Sequence, residues 1–347
     1  MTPVERFTRT ARFEPVDRLP LVEWAPWSER TLSRWYTQGL PRQINDPWEI
    51  RGQLGLDSHR HLRVFARGAT CPPPLPHGGG LVGGADDYDA LRGHLYPRTH
   101  LRTDPALPDL RAWACEHAEG TSLVSLNFDG FFWYPRTLLG AERHFYAFYD
   151  DPSLLHSMNG DLAAYVLWAI EDICRTVTPD FVVFTEDLSH DRGPVLSREL
   201  FDCFLAPYYR RVVPALAQRG ITTFVASDGD MGAVADWFEG VGVEGLAPLE
   251  RRAGVDPAAL RAAHPRLLLM GGINCSLLGR GPDLEGLKGE LEGLLPLMRG
   301  GGFFPCLDCR TPSEIPLARY RSYVALLGES CGRAGAADPS SQPVAVE

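Results

Sequence analysis

The alternation of apolar and polar positions changes character along the chain. Val4 to Phe13 has a helical period and reads as a short amphipathic helix closed by Glu14-Pro15. Leu19-Pro20-Leu21-Val22-Glu23-Trp24 is a first strand candidate. Between about residues 40 and 115 the periodicity lapses. Cys71-Pro72-Pro73-Pro74-Leu75-Pro76-His77-Gly78-Gly79-Gly80, with a second Gly-Gly pair at 83–84, predicts a loop and hairpin excursion rather than core helix.

From residue 120 the pattern becomes regular. Strands are predicted at Ser122–Phe128, Phe181–Phe184, Ile221–Ala226, Gly245–Leu249, Leu267–Ile273 and Gly302–Phe304. Between them the helical period predicts helices over Asp151–Val177, Arg198–Gln218, Met231–Gly240, Pro257–His264 and Leu284–Arg299, and a last one over Ile315–Leu327. The first of these carries Leu155, Met158, Leu162, Val166, Ile170 and Ile173 on one stripe. Strands alternating with helices predict parallel βαβ units. The count favours an α/β (β/α)8 TIM-type barrel, somewhat irregular, over a doubly wound sheet, with its eighth strand hidden. No Gly-x-Gly-x-x-Gly follows the first strand, against a dinucleotide fold. A single domain over 1–330 is expected, and the aperiodic tail 331–347 is expected to be disordered.

Composition narrows the function. A net charge of -10 and a pI of about 5.5, with scattered arginines, argue against nucleic acid. No run of 18 apolar residues suggests a membrane span, and residues 1–18 lack the apolar core of a secretory signal. The eight cysteines are therefore expected in a cytoplasmic setting, as free thiols, metal ligands or catalytic groups rather than a disulfide frame.

In a barrel of this type the chemistry sits just after each strand. Those positions hold Glu186, Asp187 and His190; Ser227, Asp228 and Asp230; Glu250; Asn274 and Cys275; and Cys306, Asp308 and Cys309. Glu186, Asp228, Asp187 and Glu250 are the candidate catalytic carboxylates, and His190 and Asn274 candidate substrate contacts. Asp230 reads first as a helix cap. Cys306-Leu307-Asp308-Cys309 places two thiols at a spacing that chelates one soft ion, with Cys275 arriving from the neighbouring strand. Structural thiols and a redox pair remain open alternatives. Phe131-Phe132-Trp133-Tyr134 is too long an aromatic run to face one core. It predicts an aromatic wall for a planar or methylated ligand, with Arg136 as a carboxylate clamp, or else a dimer or inter-loop contact. His59, His61, His77, His94, His100 and His117 show no ligand spacing and are expected at the surface. No nucleophile elbow, Walker loop or His-Glu-x-x-His helix occurs.

Several segments, taken in order, resemble the uroporphyrinogen decarboxylase superfamily over roughly residues 4 to 328. They are Arg12-Phe13-Glu14-Pro15-Val16-Asp17-Arg18-Leu19-Pro20, Asp150-Asp151-Pro152-Ser153-Leu154-Leu155, and Leu196-Ser197-Arg198-Glu199-Leu200-Phe201 with Pro207-Tyr208. Ser227-Asp228-Gly229-Asp230, Gly271-Gly272-Ile273-Asn274, Thr311-Pro312-Ser313-Glu314 and Tyr320-Arg321-Ser322-Tyr323 complete the set. The resemblance implies the same barrel, with its site at the strand C-termini. Porphyrinogen decarboxylases carry an Arg-rich Met-Arg-Gln-Ala-Gly-Arg segment after the first strand. This chain has Trp24-Ala25-Pro26-Trp27-Ser28-Glu29-Arg30, which disfavours a tetrapyrrole substrate.

The superfamily's methyltransferase branch binds zinc through His-x-Cys after one strand and a Cys near the last. Cys306 or Cys309 fits the second element, but Ala226-Ser227-Asp228 stands at the first. The resemblance thus implies a zinc-assisted methyltransferase with a variant ligand set drawn from Asp228, Glu186, Cys306, Cys309 and Cys275. Its substrate would be a small methoxylated or methylthio molecule, and its methyl acceptor a thiol or a corrinoid carried by a partner protein. The alternatives are a metal-free decarboxylase of a small carboxylated substrate, using Asp228 or Glu186 with an Arg clamp, and a catalytically idle barrel that binds a ligand or a corrinoid partner.

Overall fold

The computed structural model describes residues 1–335 apart from 45, 74, 76–78, 100, 102–103, 105–106 and 280–283. The expected alternation of strand and helix is present, and the fold is α/β of TIM-like type. Its strands are β1 (His59–Arg63), β2 (Leu123–Asp129), β3 (Phe181–Thr185), β4 (Ser189–His190), β5 (Gly193–Pro194), β6 (Thr222–Ala226), β7 (Gly245–Leu249), β8 (Leu268–Ile273) and β9 (Phe303–Leu307). Among the described residues seven of them form one sheet in the order β1-β2-β3-β6-β7-β8-β9, and β4 and β5 form a small antiparallel pair. β2 with β3, β3 with β6 and β8 with β9 pair in parallel.

The expected first strand is not one of the seven. Leu19–Trp24 is buried over most of its length, but one side chain takes the place of a strand partner. The Asp57 carboxylate accepts the Leu21 N–H at 2.9 Å, the Asp57 N–H donates back to the Leu21 carbonyl at 2.9 Å, and Pro20 has no N–H to offer. Arg18 grips the same carboxylate with both terminal nitrogens.

The stretch 40–115 is also more structured than its composition suggests. It contains β1 and the helices Pro47–Gln53, Ala85–Leu91 and Leu110–Ala118. β1 was illegible because His59-Arg60-His61-Leu62-Arg63 has one aliphatic residue, a composition that the end position of this strand in the sheet tolerates.

Three boundaries shift for local reasons. The expected helix Arg198–Gln218 is two, Arg198–Phe204 and Ala206–Ala217, because Pro207 removes a donor and restricts its predecessor. β9 runs past the expected Phe304 to Leu307, since a terminal strand accommodates Pro305. Cys306 therefore lies inside β9 rather than after it. The last helix spans Leu317–Gly335 and buries Cys331, so residues 331–335 are ordered helix and the remainder of the expected tail lies outside the described residues.

The chain divides into two compact units. The first comprises Met1–His59, Gly120–Leu123 and the chain from Ala247 onward. Its core includes the Trp27, Trp35 and Tyr320 rings, with centroids 4.8 to 5.7 Å apart. The second comprises Arg60–Glu119 and Val124–Leu246. Its long helix Pro152–Cys174 buries the whole stripe from Leu155 to Ile173 that the period identifies. No helix among the described residues is long and apolar enough to cross a membrane.

The Asp57 carboxylate is nearly inaccessible and carries the conformation of the segment 18–21. Asp57→Ala should lower the free energy of unfolding by about 3 kcal/mol, because it strands Arg18 and the Leu21 N–H. Urea unfolding checks this. An unchanged midpoint would show that the segment does not depend on Asp57.

Candidate functional site

In the first unit, the C-terminal ends of β7, β8 and β9 are tied together by Asp308, which is 1% exposed. Its Oδ1 accepts the Cys275 N–H at 2.9 Å and its Oδ2 accepts the Arg251 N–H at 3.0 Å. Burial raises its pKa; the two N–H donors oppose this, and the nearby Glu250 charge adds to it. Arg251 in turn lies 3.5 Å from Glu290, whose other oxygen accepts the Asn274 N–H at 2.9 Å. The Asn274 Oδ1 accepts the Ser276 N–H, so this expected substrate contact caps the turn that carries Cys275. Gly271, at φ 111°, lets β8 run against β7: a Cβ there would lie 2.7 Å from the Leu249 nitrogen.

Cys275 and Cys309 are joined as a disulfide, and the other six cysteines are free. This corrects the expectation of free thiols at this one pair. The two sulfurs and an Asp308 oxygen lie within 4.8 Å of one another, the one such set of three His, Cys, Asp or Glu donors among the described residues. Asp308 was not singled out as a ligand, although it stands between the two thiols of the motif. Cys309 thus pairs with Cys275 across adjacent strand ends rather than with Cys306.

Cys306 belongs to a different environment, fully buried, where burial raises its pKa well above the usual thiol value; Glu23 adds to this and Arg51 opposes it. Glu23 Oε1 accepts the hydroxyls of Tyr320 at 3.1 Å and Tyr323 at 3.0 Å, and Arg51 donates to the Glu23 carbonyl at 3.3 Å. Burial pushes the Glu23 pKa up to about 7. Sequence reasoning passed over Glu23, yet a lone carboxylate inside the apolar run Leu19–Trp24 was its visible signal.

In the second unit Glu186, at the end of β3, is fully buried. Its carboxylate accepts the N–H groups of Phe131 (2.8 Å), Phe132 (2.7 Å) and Trp133 (3.1 Å), together with the Tyr209 hydroxyl. It therefore caps the start of the helix Trp133–Leu139. Burial pushes its pKa up to about 7 against these donors. Gly130 is required here: a Cβ would lie 2.1 Å from the Glu186 carboxyl carbon.

The aromatic run splits at this turn. Phe131, Phe132 and Tyr134 are core residues, at most 1% exposed, with Phe131 packed on Tyr209 and Phe132 on His144. This corrects the expected four-ring wall, because the helical turn sends successive rings in different directions. Only Trp133 faces outward, beside Arg136. Arg136 pairs with the half-buried Asp187 at 3.0 Å, and burial raises the Asp187 pKa against that guanidinium. Trp133 and Arg136 line a cavity of about 410 Å³ with Arg63, Phe65, Arg67 and Asp129. Sequence reasoning missed the first three because they end or follow the unrecognised β1, and Asp129 because β2 runs one residue past its expected end.

The remaining candidates are placed as follows. Asp228 is exposed after β6, and Asp230 Oδ1 accepts the Gly232 N–H at 3.0 Å, acting as a cap. His190 is exposed and its Nδ1 accepts the Arg192 N–H at 2.9 Å. His59 is buried, against the surface expectation; His61 bonds Ser125, and His117 pairs with Asp180, which raises its pKa. His77 and His100 lie outside the described residues.

The fold, a TIM-like arrangement with chemistry-bearing groups at strand C-termini, defines the broad class. No family model matches the sequence, and no curated protein matches it. Among solved structures, the chain is similar to a methyltransferase from Methanosarcina mazei, with a TM-score of 0.66 and 16% identity over 95% of this chain and 99% of that one. At that identity the likeness establishes the fold. A B12-independent methionine synthase from Shewanella sp. W3-18-1, in complex with selenomethionine, matches at a TM-score of 0.43 with 13% identity over 65% of each chain, too weakly to carry an argument.

Glu23 and Glu186 each hold a proton in the folded state up to about pH 7, whereas an unfolded Glu loses it near 4.5. The folded protein therefore binds more protons between those values, and stability falls as pH rises through the window. The melting temperature should drop between pH 5 and 8, and Glu23→Gln, which keeps the acceptor for both tyrosines, should flatten the slope. An identical slope in the variant would show that Glu23 is ionised in the fold.

Proposed function

We propose that the protein is a methyltransferase of the uroporphyrinogen decarboxylase-like superfamily. It moves a methyl group from a small methoxylated or methylthio compound to a thiol or corrinoid acceptor, with zinc held by Cys275, Cys309 and Asp308. The observation that carries the reading is the convergence of these three donors at the ends of two adjacent strands. The fold shared with the Methanosarcina mazei methyltransferase supports it. Cys306, Glu186 and Asp228 are left out of the ligand set, because Cys306 and Glu186 are enclosed in hydrogen-bonded or charged networks of their own and Asp228 stands exposed after β6.

The donor set fits zinc in its dithiol form. Two thiolates and one carboxylate are ordinary zinc ligands, and three protein ligands leave a position for a reactant. The disulfide offers no thiolate, so reduction is a precondition. Each Asp308 oxygen accepts one N–H and retains a second lone pair, so ligation and the backbone bonds are compatible. Zinc, when bound, would lower the pKa of a thiol acceptor or draw electron density from the heteroatom that bears the methyl group. Asp308 holds the Cys275 backbone in place, and Glu290 holds Asn274 beside it, so the ligands are preorganised by one buried and one part-exposed carboxylate. In the transfer, the bond from methyl carbon to O or S breaks with its electron pair remaining on the leaving atom, which ends protonated. The acceptor supplies the pair for the new bond.

Protein reduced with a dithiol and supplied with zinc should retain about one zinc per chain by elemental analysis. Cys275→Ser, Cys309→Ser and Asp308→Asn should each weaken retention at least about tenfold. The reduced wild type should methylate cob(I)alamin or a small thiol from a panel of methoxylated and methylthio compounds, and the oxidised protein should not. Reduced protein that retains no zinc would overturn the ligand assignment. Retention of zinc without turnover across the panel, with both acceptors, would overturn the activity.

A further inference from the structure

The cavity of the second unit has a composition that the thiol cluster does not explain. Arg63 closes β1, Phe65 and Arg67 follow it, Asp129 closes β2, and Trp133 and Arg136 lie on the first turn of the next helix. Its volume of about 410 Å³ is within the range of small-molecule sites, which place a few polar groups among apolar and aromatic walls.

The charges in it are unevenly matched. Arg63 pairs with Asp129 at 2.6 Å, and Arg136 with Asp187 at 3.0 Å. Arg67 donates to the Thr137 carbonyl, and among the described residues no carboxylate lies within ion-pair distance of it. One guanidinium thus lines the cavity with no direct ion-pair partner, although Asp129, already paired with Arg63, feels its charge, and its planar fork suits a two-oxygen anion. The aromatic groups set the rest. Phe65 is 56% exposed, an unusual state for a large apolar ring, and the Arg63 guanidinium sits 5.2 Å from its centroid. Arg136 sits 5.5 Å from the Trp133 centroid. Two ring faces stiffened by cation–π contacts provide stacking surfaces for a flat ligand.

We infer that this cavity binds a planar aromatic monocarboxylate, with Arg67 taking the carboxylate and Phe65 and Trp133 flanking the ring. The inference stands apart from the methyl-transfer reading, since it needs neither the thiols nor a metal. It also assigns the carboxylate-clamping role to Arg67, because the Arg136 charge is already paired with Asp187 through Nη1.

Isothermal titration of the full chain with benzoate tests it. Benzoate should bind at one saturable site. Benzamide, the neutral counterpart, should bind at least about tenfold more weakly, as should acetate, which lacks the ring. Arg67→Ala and Trp133→Leu should each weaken benzoate binding at least about tenfold, while Arg67→Lys should retain the larger part of it. Arg175→Ala, at an exposed arginine paired with Glu171 elsewhere, should leave binding unchanged. Circular dichroism checks each variant, and Arg67→Gln replaces Arg67→Ala if the latter does not fold. No benzoate binding, or equal affinity for benzamide, would overturn the charge assignment. Equal affinity for acetate or inorganic phosphate would overturn the aromatic one, and full affinity in a folded Arg67→Ala or Arg67→Gln would remove Arg67 from the site.

Discussion

Asp308 is the constraint on which the first unit's candidate centre depends. The Asp308 backbone continues the β8–β9 ladder through its N–H to the Ile273 carbonyl, while burial makes its side-chain charge costly unless donors surround it. The N–H groups of Cys275 and Arg251 supply them, and in doing so fix the turns after β8 and β7 relative to β9. The two sulfurs are brought together by this backbone arrangement rather than by the sequence spacing of a local motif. The same logic recurs in the second unit, where Glu186 gathers three consecutive N–H groups and fixes the helix that presents Trp133 and Arg136. In both units a buried carboxylate organises the backbone, and the groups available for chemistry are its neighbours.

This division of labour explains what was legible in the sequence. Alternating apolar runs and helical stripes report burial, so the succession of strands and helices after residue 120 could be read directly, down to the buried stripe from Leu155 to Ile173. The positions after the strands could be read as well, since they depend only on strand ends. The roles of the residues there could not. Glu186 and Asp308 have the same local signature, an acid following an apolar run, and only the fold reveals that the first is enclosed by four donors while the second sits beside two sulfurs.

Other features were hidden for equally physical reasons. Leu19–Trp24 has the composition of a strand, yet its Leu21 N–H goes to a carboxylate thirty-odd residues away and its Leu19 N–H to the Cys331 carbonyl. β1 lacks the composition of a strand because it ends the sheet. Pro305 masked the true length of β9 and so placed Cys306 on the wrong side of a boundary. The aromatic run looked like a continuous surface, but a helical turn distributes its rings. Arg63, Phe65 and Arg67 carried no signal until β1 was recognised.

The central claim is that Cys275, Cys309 and Asp308 form a metal centre when the cysteines are reduced. Zinc K-edge X-ray absorption on the reduced, zinc-loaded protein addresses it most directly, because it counts ligands by type and distance. Two sulfur neighbours at about 2.3 Å with oxygen at about 2.0 to 2.2 Å are expected. A first shell with no sulfur, or one of four sulfurs, would contradict it.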